Sequence, residues 1–212
     1  MTNEEYYAAV SSKIAILKQL RVDCKNIAAG IIGQSLLKED FFFCASADRC
    51  MHLIDGFIAM LQERNLTCAG ALLRLQLDNC MRTYAAFIAA DKESVVDCII
   101  SGNRIDQQKS EDGKQLKDFY LKEELNKIEP RFSSVYDNTS GYIHLSDKAF
   151  YQTVNSCDDN TIEWGVGLPL IEKHNPVLIE GAEAFIHFVK LHFRILTAVA
   201  ESKKRFDEEY QE

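Results

Sequence analysis

Arg74, Asp78 and Arg82 stand at i, i+4 and i+8 within the stretch 69–90, AGALLRLQLDNCMRTYAAFIAA. Helical residues four apart sit one above the other, so the three make a single polar stripe on a segment that is otherwise apolar nearly all round. Two guanidiniums flanking one carboxylate leave net positive charge, and an arginine pair can grip a phosphate or carboxylate bidentately. The same triplet also suits a buried ion network that sets helix register, with a carboxylate or carbonyl from another helix taking the second arginine. A second stripe has the same spacing: Tyr136, Ser140 and His144, in YDNTSGYIH. Gly141 lets a backbone or ligand come close there, although a lone His at a helix end also serves as a cap or a core hydrogen-bonder. If the two helices face each other, Arg74, Asp78, Arg82, Tyr136, Ser140 and His144 form one polar, ligand-binding centre.

Other groupings carry less chemistry. Asp48, His52 and Asp55 share a helix face and could hold a divalent metal as a hydrolase centre, but they also read as the solvated side of an amphipathic helix. His187 lies among Lys190 and Arg194, facing solvent, while His192 borders the apolar face and suits a core histidine. The chain has no P-loop, dinucleotide GxGxxG, GxSxG elbow, HExxH or zinc knuckle, so no cofactor and no metal centre is expected. Its seven Cys, at 24, 44, 50, 68, 80, 98 and 157, include no CxxC pair. They read as small buried hydrophobes in a reducing compartment.

The elements that must position these groups are mostly helical. Apolar residues make up 47% of the 212, enough for a sizeable core, while only 3 Pro and 10 Gly argue against an all-β fold. A net charge of −8 disfavours non-specific nucleic-acid or membrane-surface binding. The N-terminus is acidic where a secretory signal would be basic, and no apolar run is long enough to span a membrane. The expectation is a single cytoplasmic domain, mainly α: a helical bundle with one β-hairpin towards its C-terminal third.

Helices are expected at 3–37, with a break near Gly30 and Gly33, and at 41–64. The central helix, at about 66–90, pairs antiparallel with its predecessor through a very short link. Helices at 92–100, 115–128 and 130–143 follow, with a polar, mobile loop at 101–114. Alternation at Phe150, Gln152, Val154 and Ile162, Trp164, Val166 predicts a hairpin over 149–167, before a long helix at 176–209.

The long helical N-terminal half, the LLRLQLDNCMR helix and the late TSGYIHLS element, followed by a hairpin and a long last helix, resemble HEPN-type α-helical domains and bacterial relatives linked to abortive infection. The resemblance implies a homodimer with a regulatory or phage-defence role, and, for active members, metal-independent RNA cleavage. On that pattern His144 would be the general acid or base, and Arg74 and Arg82 would stabilise phosphate charge. The family's ribonucleases carry an Arg four to six intervening residues ahead of the His; the positions before His144 are Asp137, Asn138 and Thr139. The leading expectation is therefore a helical module that binds a partner or an anionic ligand through the polar centre. The alternatives are RNA cleavage and metal-dependent hydrolysis.

Overall fold

A computed structural model describes residues 1–144, 150, 153–158, 160–167 and 169–209. Within them the chain is a helical bundle with one antiparallel hairpin before the last helix. The helices are α1 (Asn3–Ile32), α2 (Lys38–Gln62), α3 (Leu66–Phe87), α4 (Lys92–Ile100), α5 (Asp118–Ile128), α6 (Phe132–Ile143) and α7 (Asn175–Glu209). The hairpin is β1 (Val154–Asp158) and β2 (Thr161–Trp164).

α3 is the centre. It packs on α2, α5, α6 and α7, and buries Leu73, Leu77, Cys80 and Met81. The two longest helices, α1 and α7, form the most extensive interface and close the bundle behind it. Phe57 of α2 stacks on Phe185 of α7 with ring centroids 4.0 Å apart, filling the space between them.

Local chemistry sets the boundaries. Thr2 caps α1, its hydroxyl accepting from the Glu5 N–H while Glu5 reaches back to the Thr2 N–H. α1 stops at Ile32 because Gly33 takes φ +54, a left-handed value that suits glycine. Arg64 turns the chain between α2 and α3 at φ +53, and Asn65 caps α3 by accepting from the Cys68 N–H. Asn175, fully buried at the start of α7, accepts from Arg64 at 2.6 Å and donates to the backbone oxygens of Met1 and Thr2. That one side chain ties three distant parts of the chain together.

The 101–114 segment, expected as a mobile loop, contains local backbone structure. It holds a short 3-10 turn at Ile105–Gln107 and bridges Ala89 to Ser110. The hairpin is narrower than its alternating sequence, with Cys157 opposite Ile162 and an irregular register between Val154 and Ser156. Residues 149, 151, 152 and 159 of the expected hairpin lie outside the described residues, as do Ser146 and Asp147. β2 is exposed throughout, so its apolar residues pack on no core face. No helix is long and apolar enough to cross a membrane among the described residues.

The cysteines divide. Cys24, Cys50 and Cys80 are buried as expected, but Cys68 and Cys157 are exposed.

Candidate functional site

A cleft of about 590 Å³ opens beside the central helix, within the usual range for small-molecule sites. α2 contributes Phe42, Ala45, Ser46 and Arg49, spaced to share one face; α3 contributes Arg74, Asp78, Asn79 and Arg82. Ile99, Ile105, Asp118 and Tyr136 complete the walls.

Within the cleft the α3 stripe is only partly neutralised. The buried Nη1 of Arg74 makes the ion pair with the Asp78 carboxylate. Its guanidinium lies over the Tyr136 ring, 3.4 Å from the centroid, a cation–π contact. Arg82 reaches Asp118 at the start of α5, at 2.6 Å. Arg49 has no hydrogen-bond or ion-pair partner among the described residues. Burial raises the Tyr136 phenol pKa above its ordinary value, and the Asp78 charge adds to that against the opposing pull of Arg74.

The two stripes therefore meet at one point only. Arg74 lies on Tyr136, while Gly70, one turn earlier on α3, faces the Tyr142 ring. The helices thus run antiparallel: α6 climbs towards His144 as α3 descends towards Gly70. Arg82 and His144 lie at opposite ends of this pair, roughly 24 Å apart along it at 1.5 Å per residue. Ser140 turns its hydroxyl back to the Tyr136 carbonyl at 3.1 Å, and His144 is exposed just past the end of α6. Arg74, Asp78, Arg82 and Tyr136 come together; Ser140 and His144 do not join them.

The floor of the cleft holds a network absent from the sequence reading. Ser46 Oγ lies 2.8 Å from His192 Nε2, and Thr83 Oγ1 lies 3.0 Å from the same nitrogen. Ser46 and Thr83 hydroxyls also touch each other. Asn79 Nδ2 donates to the Ser46 carbonyl at 3.0 Å, and the Thr83 hydroxyl donates to the Asn79 carbonyl at 2.7 Å. One directed chain satisfies these groups: His192 Nε2–H to Ser46, Ser46 to Thr83, Thr83 to the Asn79 carbonyl. It assigns the proton to Nε2 and leaves Nδ1, which has no partner, as a buried acceptor rather than a costlier buried donor. Burial pushes the His192 pKa down to about 3, so the ring is neutral. In this arrangement Ser46 accepts from His192, so the pair is a structural clamp between α2, α3 and α7, not an activated nucleophile. An isolated Ser on α2 and a Thr on α3 gave no periodic signal; the apolar flanks Leu191 and Phe193 were the cue for His192.

No protein family, curated protein or solved structure matches this chain. The cleft's chemistry must therefore be read from its own residues.

The remaining groupings are occupied by other contacts. Asp55 is paired with Arg21 at 2.8 Å, while Asp48 and His52 lie 3.4 Å apart and exposed. Among the described residues no cluster of three His, Cys, Asp or Glu side chains has metal-binding geometry. His187, expected in solvent, is half-buried and bonded to Glu129 at 2.7 Å, with Arg131 against its ring. Burial raises the Glu129 pKa, but hydrogen bonds from His187 and Arg131 outweigh it and hold the carboxyl below its ordinary value.

Proposed function

We propose that this protein is a helical binding module whose α2/α3 cleft takes a small anionic ligand. The observation that carries this reading is an excess of positive charge in a concave site: Arg74 and Arg82 are each matched by one carboxylate, Asp78 and Asp118, while Arg49, exposed at the cleft wall, has no partner among the described residues. A carboxylate or phosphate on Arg49 would supply the charge-assisted partner that this guanidinium lacks within the protein. RNA cleavage by Arg74, Arg82 and His144 finds no comparable support, because the imidazole stands far from the arginines.

Titration calorimetry with a panel of organic monoanions and phosphates tests the reading. One member should bind at a single site, and Arg49→Ala or Arg74→Ala should weaken it at least tenfold. If no member shows saturable, Arg49-dependent binding, the reading fails.

A further inference from the structure

The cleft is polarised along its length, and this defines the ligand more closely; the inference rests on the anion-binding reading above. Ser46 of α2 bonds across to Asn79 and Thr83 of α3, which sets the level at which the antiparallel helices meet. Arg49, almost a turn further along α2, is then level with Arg74 and Asp78. Phe42, about a turn earlier, is level with Arg82 and the end of α3. Ile99 and Ile105 line the same cleft from α4 and the following 3-10 turn.

The two ends differ in charge. At the Phe42 end Arg82 is engaged by Asp118, so its cation is compensated. At the Arg49 end Asp78 is paired with Arg74, which leaves Arg49, exposed on the same cleft wall, without a counter-charge. Across the cleft three guanidiniums stand against two carboxylates, leaving one unit of positive charge. One unit complements a monoanion; a dianionic phosphate monoester would carry an uncompensated charge into a partly buried site. The stretch from Arg49 to Phe42 covers seven residues, roughly 10 Å at 1.5 Å per residue.

We infer that the ligand is an amphiphilic monocarboxylate, its carboxylate on Arg49 and Arg74 and an apolar body of about 10 Å running towards Phe42, Ile99 and Ile105. The Tyr136 ring does not stack with it, because the Arg74 guanidinium already covers one face at 3.4 Å and Lys122 approaches the ring at 5.7 Å.

Calorimetry on the full chain at pH 7 with sodium octanoate, sodium acetate and inorganic phosphate decides the matter. Octanoate should bind once per chain. Acetate and phosphate should bind at least about a hundredfold more weakly, since acetate lacks the buried methylenes. Arg49→Ala should weaken octanoate at least tenfold, and Ile99→Ser, at a partly exposed position that leaves the core intact, several-fold. Acetate or phosphate binding as tightly as octanoate, and through Arg49, overturns the amphiphile while leaving the anion site standing. Octanoate binding that ignores Arg49→Ala also overturns it. Absence of Arg49-dependent binding by any of the three ions overturns this inference together with an anion site for such ions.

Discussion

Lowering the pH from 7 to 5 should cost the protein about 2 kcal/mol of stability through His192 alone. The ring is fully buried, and burial depresses its pKa from 6.5 to about 3. The folded state thus refuses a proton that the unfolded chain accepts below pH 6.5. A group with a depressed folded pKa that is neutral when folded loses stability as pH falls, at up to about 1.4 kcal/mol per pH unit, until the folded form protonates near pH 3. Integrating between pH 7 and pH 5, with an unfolded pKa of 6.5, gives about 1.9 kcal/mol. Urea unfolding at both pH values, for the wild type and His192→Gln, isolates this contribution. Gln keeps a donor for Ser46 but does not titrate, and shifts at Glu129, His174 and Asp207 are common to both proteins and cancel in the difference. Wild type should lose about 2 kcal/mol more than the variant over this interval. Equal pH dependence, or a His192 ring titrating near 6.5 by NMR, refutes the buried neutral assignment.

Three further outcomes follow from packing and charge. A Cβ at Gly70 would collide with the Tyr142 ring, so Gly70→Ala should destabilise by about 1–3 kcal/mol in urea unfolding, and unchanged stability would show that α3 and α6 are not packed this closely. Lys203 and Asp40 form an ion pair at 2.5 Å with both side chains almost fully buried; Lys203→Met should cost about 3–5 kcal/mol by stranding the carboxylate, and adding Asp40→Asn should recover part of it. With a thiol reagent under native conditions, Cys68 and Cys157 should react first, while Cys24, Cys50 and Cys80 should react only on unfolding; early labelling of Cys80 would contradict its burial.

The helices were legible because their signals are local. The polar stripe of Arg74, Asp78 and Arg82 marked α3 as central, and Asp91 and Gly102 bracket α4 by ordinary capping chemistry. The contact between the Arg74 and Tyr136 stripes was also within reach, since two polar lines on apolar helices need each other. The rest depends on tertiary placement. Arg82 finds Asp118 36 residues away, and Ser46 finds His192 146 residues away, separations at which one sequence carries no pairing information. Arg49 is an exposed residue of α2 with no sequence signal of its own. Only the cleft wall opposite gives it meaning. His144 shared a helical spacing with Tyr136 and Ser140, but the antiparallel course of α3 and α6 carries it away from the arginines.

The pairing of α1 with α7 also governs how the chain can be made. Lys13 of α1 bonds to Glu183 of α7, 170 residues later. At synthesis rates of about 5–20 residues per second, α1 waits roughly 10–30 s for the helix that covers it. During that time α2 alone can shelter only part of its apolar surface. Assembly should therefore finish with the docking of α7, and the nascent chain should be most open to chaperone capture until that helix leaves the ribosome.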